Sequence, residues 1–169
     1  MLWLDECTIK EHPTLTSVWS QQGTRPRIKT SGKHGKLHIF GAVDTERGKV
    51  YRQLSSSLKA DAFKKFLQQV LTRCSTSKVV AIMDNAKAHH ARLIHSFIEG
   101  EKGRLAVIYL PTYAPELNPI ERLWKWLRQV VTHNFCFDTL NKLKAALQKF
   151  FAYVARNPHI IKRTCRVDV

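Results

Sequence analysis

Two aspartates directly follow apolar segments, and they are the first candidates for chemistry in this sequence. Asp5 comes after Leu-Trp-Leu, and Asp84 comes after Val-Val-Ala-Ile-Met. A carboxylate beside a buried segment is costly unless it reaches solvent, a partner or a metal ion. If both segments are strands that end here, the two carboxylates lie side by side at one edge of a sheet. The alternative is that each aspartate caps a turn, where aspartate is common.

A pair of neighbouring carboxylates favours a divalent cation, because the cation removes their mutual repulsion. Oxygen ligands with few soft ligands nearby indicate Mg²⁺ or Mn²⁺. A third acid from another element would complete a two-metal site for phosphodiester cleavage. The net charge of +15 suits such a substrate, because it attracts phosphates. Binding to acidic lipid, or a basic host proteome without any ligand, would also account for this charge.

Two glutamates, Glu116 and Glu121, lie on either side of an Asn-Pro pair. Asn118 is a good N-cap, Pro119 fits the first helical position, and Glu121 then falls at N3, as in a capping box. Glu121 can also pair with Lys125, four residues later. On composition alone, capping is the better interpretation of Glu121. Glu116 is interpreted as a solvated acid in a proline-bounded loop.

Hydrophobic periodicity predicts the elements that must position these acids. Predicted strands cover residues 1–7, 36–44, 49–55, 78–84 and 104–110. Predicted helices cover 58–73 and 88–100, a third begins after Pro119, and a last helix covers 138–155 with Asp138 as N-cap. The order β-β-β-α-β-α-β-α-α starts with a hairpin-containing meander and adds helix-linked parallel strands. It predicts an α/β fold with a mixed five-stranded sheet flanked by helices.

Length and composition suit one domain with a hydrophobic core, since the 169 residues are 44% hydrophobic. No apolar segment approaches the roughly 18 residues of a membrane span, and the N-terminus lacks a secretory h-region. We therefore expect no membrane association and a cytoplasmic protein, nucleoid-associated if prokaryotic. The four cysteines show no zinc spacing, and reduced thiols are expected.

Four motifs occur in a fixed order: LWLDE, VWSQQGTRP, MDNAKAHH and LPTYAPELNPIERLWKWLR. Together they resemble the DDE catalytic domain of insertion-sequence transposases of the IS630/Tc1/mariner superfamily. The resemblance covers nearly the whole chain, from about residue 2 to about residue 150, and the last motif is the most specific. It implies an RNase H-like fold, in agreement with the order of strands and helices.

The resemblance also implies roles for individual residues. Asp5, Asp84 and Glu121 match the catalytic, metal-binding triad, with two Mg²⁺ or Mn²⁺ ions per active site. Glu116 matches a less critical acid of the same motif. His89 matches a family histidine that orients the site or contacts DNA. The implied activity is metal-dependent DNA cleavage at the ends of a mobile element, followed by strand transfer into target DNA at TA.

A basic segment at residues 25–36 contains no acid and offers a further contact with DNA. It can lie along the DNA backbone, or it can be an ordinary solvated loop. Trp19, just before it, matches a family motif but can instead belong to the core, where tryptophan is usually found. The cations of the segment are Arg25, Arg27, Lys29, Lys33 and Lys36.

Members of this superfamily usually carry N-terminal helix-turn-helix domains that bind the element ends, and this sequence begins at the first catalytic strand. We therefore expect a single catalytic domain, residues 1–169, that is the second of two reading frames, a truncated copy or an isolated domain. A separately encoded helix-turn-helix protein is a candidate partner, and a dimer is expected on DNA. The rival functions are a stand-alone RNase H-like nuclease and a non-enzymatic DNA-binding remnant. The presence of all three acids argues against the remnant.

Overall fold

A five-stranded mixed sheet forms the centre of the computed structural model, which describes residues 1–30, 32–74, 78–112 and 114–167. Its strands are β1 (Leu2–Lys10), β2 (Lys36–Asp44), β3 (Lys49–Ser55), β4 (Val79–Met83) and β5 (Leu105–Tyr109). The helices are α1 (Ala60–Arg73), α2 (Arg92–Gly100), α3 (Ile120–Val131), α4 (Leu140–Arg156) and α5 (Pro158–Thr164). Short 3₁₀ turns at Lys87–His90 and Pro115–Leu117 precede α2 and α3.

The strand order across the sheet is β3-β2-β1-β4-β5. β1, β2 and β3 pair antiparallel, whereas β4 pairs parallel with both β1 and β5. The β2–β3 hairpin turns at Gly48, whose positive φ of 69° suits a residue without a side chain. The predicted meander, the hairpin and the helix-linked parallel strands are all confirmed.

Side chains alternate along β1 between two helical layers. Cys7 packs into a core formed with α3, α4 and α5, while Leu4 packs into a second core with α1 and Ile94 of α2. The same alternation directs Asp5 toward the layer of α3 and Glu6 toward the layer of α1 and α2. Two neighbouring acids of one strand therefore lie in different surroundings.

Gly41 lies opposite Asp5 in the β1–β2 register and allows α3 to approach the sheet closely. A Cβ atom at this position would lie 2.5 Å from the ring of Trp124 and 3.1 Å from Ile120. We expect Gly41→Ala to destabilise the protein by about 1–3 kcal/mol, because the buried indole must move. Thermal unfolding measures this loss. The control is Gly103→Ala, where an added Cβ meets no atom within 4 Å, and equal losses in both variants would contradict the prediction.

The C-terminal helices differ from the sequence prediction. The predicted N-cap of α4 is wrong, because Thr139 Oγ1 accepts the backbone N–H of Lys142 at 3.2 Å. Asp138 instead forms an ion pair with the side chain of Lys142, at 2.6 Å. The sequence analysis also did not predict α5, which begins at Pro158 and buries Ile161.

None of the helices formed by the described residues is long and apolar enough to span a bilayer. Cys7, Cys74, Cys136 and Cys165 form no disulfide, as the sequence predicts.

Candidate active site

Asp5 lies in the middle of β1, so it is not a strand-end residue, and the strand predicted over residues 1–7 is longer than expected. β1 continues to Lys10 because β2 pairs with it along its whole length. Asp84 directly follows β4, as predicted. In the parallel ladder between these strands, Trp3 is level with Ile82. The same register, continued by two residues, sets Asp5 level with Asp84, so the two acids are neighbours where β4 ends.

The carboxyl group of Asp5 is held between the sheet and α3. Trp124 donates a hydrogen bond of 2.9 Å from its indole Nε1–H to Oδ2 of Asp5. Burial, and after it the negative charge of Glu121, raise the pKa of Asp5 from 3.8 to about 7. Since the site disfavours a second negative charge, a bound cation would stabilise the ionised form of Asp5.

His89 connects Asp84 to Glu6. Its Nδ1 lies 2.9 Å from Oδ1 and 3.1 Å from the backbone oxygen of Asp84, and its Nε2 lies 2.8 Å from Oε1 of Glu6. Burial disfavours the charged ring, but the hydrogen bonds and charges of Glu6 and Asp84 outweigh it and raise the pKa of His89 to about 9. A doubly protonated ring therefore holds the side chain of Asp84 at neutral pH.

The sequence analysis assigned no role to Glu6. Strand alternation offered a signal, because it places Glu6 on the same face as the buried Leu4, where an acid needs a partner. That partner, His89, follows 83 residues later in the chain. Glu6 therefore acts on Asp84 only through His89.

We expect Glu6→Gln to lower the pKa of His89 toward its ordinary value. Glutamine keeps an acceptor oxygen but removes the charge that favours the imidazolium ring. A pH titration of the His89 ring protons by NMR measures this effect. The control is Glu46→Gln, an exposed acid of the β2–β3 turn. An unchanged His89 titration would exclude this role for Glu6.

Glu121 does not form the predicted capping box. It is the second residue of α3, and the side chain that accepts a backbone N–H at the start of this helix is that of Asn118, the residue predicted as N-cap. The predicted ion pair between Glu121 and Lys125 is also wrong, since none of the described residues lies within ion-pair or hydrogen-bond distance of the Glu121 carboxylate. The carboxylate is thus available to a ligand.

Asn118 ties the start of α3 to β1. Its Nδ2 donates to the backbone oxygen of Leu4 at 2.9 Å, and its Oδ1 accepts the backbone N–H of Ile120 at 3.4 Å. The residue is only 3% exposed. This link holds Glu121 close enough to Asp5 for the two charges to interact.

The three predicted acids line one cavity of about 380 Å³. The remaining walls come from the 3₁₀ turn before α3 and from the segments that follow β4 and β5. In the described part of the chain, no three acidic, histidine or cysteine side chains are close enough together to hold one ion. Asp5, Asp84 and Glu121 therefore surround the cavity without closing a ligand shell, and His89 engages one oxygen of Asp84.

Residues 1–144 match the family model of the DDE superfamily endonucleases. The chain belongs to this family. A relative from Shigella sonnei, an uncharacterized 39 kDa protein of insertion element IS630, is 28% identical over 155 residues. That alignment covers 91% of this DDE chain and 45% of the relative. The chain thus spans about half the length of the IS630 protein.

The fold of this DDE chain is also that of Mos1 transposase. The mariner Mos1 paired-end complex with Mg superposes with a TM-score of 0.71 at 20% identity, over 97% of this chain and 52% of that chain. The isolated Mos1 catalytic domain gives a TM-score of 0.57 at 19% identity, over 77% of this chain and 71% of that chain. These matches confirm the predicted RNase H-like fold and the resemblance to IS630/Tc1/mariner transposases.

The structure bears on the predictions for two aromatic residues. His89 is 2% exposed and both of its ring nitrogens are engaged, which fits the orienting role, while its contact with DNA stays a prediction. Trp19 is fully exposed, so its placement in the core is wrong.

None of the described residues of the basic segment at residues 25–36 lines the cavity. Its cationic side chains are exposed, in keeping with either a DNA contact or a solvated loop. The Nζ of Lys33 donates to the backbone oxygen of Asp138 at 2.7 Å, which places the end of this segment against the start of α4. The DNA contact of Arg25, Arg27, Lys29, Lys33 and Lys36 stays a prediction.

Proposed function

We propose that this DDE-family chain is a transposase catalytic domain that cleaves DNA and transfers the resulting 3′ end into target DNA. The observation that carries the proposal is the cavity bordered by Asp5, Asp84 and Glu121 together. These acids come from β1, the end of β4 and the start of α3. The three acids around one cavity suit metal ions that act on a phosphodiester. The net charge of +15 suits the same substrate, because it attracts phosphates.

The donor set fits a divalent cation. Asp5 and Asp84 would hold one Mg²⁺ or Mn²⁺ ion between them, and Glu121 would help to hold a second, since carboxylate oxygens suit both metals. The raised pKa of Asp5 and the unengaged carboxylate of Glu121 fit such a site, since a cation would relieve the unfavourable charge on Asp5 and supply a partner for Glu121. The ions, when bound, lower the pKa of the attacking water or 3′-hydroxyl and stabilise the leaving 3′-oxygen. Mos1 transposase complexes with Mn and with Mg support this assignment.

Three further residues orient the proposed triad, one for each acid. Trp124 binds one oxygen of Asp5, His89 binds one oxygen of Asp84, and Asn118 fixes the helix start that carries Glu121. Each of these residues is buried, so its side chain has little freedom to move. This arrangement limits the motion of the acids before substrate arrives, which favours catalysis by positioning.

Transposon ends and target DNA are the proposed substrates. The relatives that support them are the Mos1 paired-end complex with left transposon end and the Mos1 strand transfer complex. Those Mos1 chains are about twice as long as the part that this chain matches, since the match covers 52% of them. We propose that a helix-turn-helix protein supplies recognition of the element ends and that the assembly on DNA is a dimer.

A two-part assay on the wild-type protein tests this function. The first part measures nicking of duplex DNA in Mg²⁺ or Mn²⁺, with EDTA as the control. The second part supplies pre-cut ends and scores joined product. Cleavage with joining supports the transposase, and cleavage without joining indicates a stand-alone RNase H-like nuclease. DNA binding with neither reaction would show a non-enzymatic remnant.

A further inference from the structure

The exposed side of α3 carries cationic side chains that follow Glu121 along the helix. Arg122 and Lys125 are exposed on this helix, and Arg128 is half-buried beside them. α5 adds the exposed Arg163. Of the ion pairs formed by the described residues, none involves these four side chains. Their positive charge is therefore not offset by an acid in direct contact.

Three depressions follow one another along this surface. The acid-lined cavity shares Pro115 and Glu121 with a second depression, and the second shares Arg122 and Lys125 with a third. Because neighbouring depressions share lining residues, the three lie side by side from the acids to α5. The cations that line the second and third depressions are Arg122, Lys125, Arg128 and Arg163, and we call this row of depressions the α3–α5 groove.

α5 forms the far end of the α3–α5 groove and is held against α3 by packing and by a hydrogen bond. Ile161 of α5 and the following Cys165 are fully buried in the core that also contains α3. A side-chain nitrogen of Arg122 donates a hydrogen bond to the backbone oxygen of Arg166. α5 lies beyond residues 1–144, which the family model matches.

We propose that the α3–α5 groove binds the phosphate backbone of the duplex DNA that adjoins the cleaved bond. Cationic side chains that contact phosphates position a duplex without reading its sequence. The rise along α3 from Glu121 to Gln129 is about 12 Å, which is the length of roughly three to four nucleotides along a duplex. The groove thus offsets, over a few neighbouring phosphates, the repulsion that the acids exert on the phosphate at the cavity.

This inference rests on the proposed function, because it assigns a place to the DNA substrate of that function. The charge distribution supports it independently of catalysis, since Arg122, Lys125 and Arg128 line the depression that shares Pro115 and Glu121 with the acid-lined cavity. It also differs from the basic segment at residues 25–36, which lies in another part of the chain.

The test measures the affinity of the protein for a short, fluorescein-labelled DNA duplex by anisotropy, in EDTA and at several salt concentrations between roughly 50 and 200 mM. The variant is Lys125→Gln/Arg163→Gln, which removes one cation from each helix. Each lost phosphate contact lowers the salt slope by about 0.9, so we expect a slope shallower by about 1.8 and an affinity about tenfold lower.

The matched control is Lys59→Gln/Lys65→Gln, which removes two exposed lysines at α1 on the opposite face of the sheet. We expect this control to keep nearly the wild-type salt slope. Circular dichroism checks that both double variants fold, as their exposed positions predict. If the groove variant and the control weaken binding equally, the α3–α5 groove is not the DNA site.

The two proposals fail in different ways. Wild-type protein that binds DNA but never cleaves it overturns the proposed function, while a selective loss of salt slope in the groove variant still supports the groove. Wild-type protein that cleaves DNA, together with an unchanged salt slope in the groove variant, overturns the groove and leaves the proposed function standing.

Discussion

Asp84→Asn is expected to abolish metal-dependent DNA cleavage while leaving DNA affinity unchanged or higher. Asparagine retains an oxygen that can accept the hydrogen bond from His89, but it removes the negative charge that would hold a divalent cation beside Asp5. Losing several kcal/mol of transition-state stabilisation slows the reaction about a thousandfold or more. The measurement is nicking of plasmid DNA in Mg²⁺, with anisotropy on a labelled duplex for affinity.

Asp61→Asn is the control for this prediction. Asp61 is an exposed acid in the first turn of α1, so its loss changes the net charge by the same amount without touching the cavity. We expect this control to cleave at the wild-type rate. Cleavage by Asp84→Asn at that rate would remove Asp84 from the triad.

Asp5→Asn is expected to stabilise the metal-free protein above neutral pH while it abolishes cleavage. The folded protein holds the pKa of Asp5 at about 7, above its value of 3.8 outside the fold. Between these two values the folded state binds more protons than the unfolded state, so stability falls as pH rises from about 4 to about 7. Asparagine avoids this loss, which we expect to be on the order of 4 kcal/mol near pH 8, as the two pKa values imply.

Thermal unfolding in EDTA measures this effect. A gain of about 4 kcal/mol corresponds to a melting temperature higher by about 8–16 °C for a chain of this size. The gain is expected near pH 8 and should vanish near pH 4, where the wild-type carboxyl is protonated in both states. Added Mg²⁺ should stabilise the wild type and not Asp5→Asn. A variant no more stable than the wild type near pH 8 would show that burial does not disfavour the ionised form of the Asp5 carboxylate.

Local patterns were sufficient to predict several elements and two of the acids. The bounds of β2 and β3 agree with the prediction, because alternating side chains and a glycine-containing turn are local signals. Asp84 was found for a similar reason, since its position after a buried strand is visible in the sequence alone. Glu121 required the family resemblance, because its immediate neighbours suggested a helix cap.

The environment of Asp5 could not be predicted in this way. The length of β1 depends on β2, which pairs with it from a distant part of the chain and extends it to Lys10. Trp124, which binds the carboxyl group of Asp5, lies 119 residues away in sequence. Neither contact can be recognised from the residues that surround Asp5 in the sequence.

The sequence by itself determined the order of strands and helices, the excess of positive charge and the identity of the three acids. Those properties depend on periodicity, composition and motifs, which are local or additive. Only the tertiary structure decided that Glu121 is unengaged and does not cap α3, that Glu6 reaches Asp84 through His89, and that α5 completes a cationic groove beside α3. Each of these three features depends on contacts between elements that are far apart in the chain. No single segment of the sequence contains both sides of such a contact.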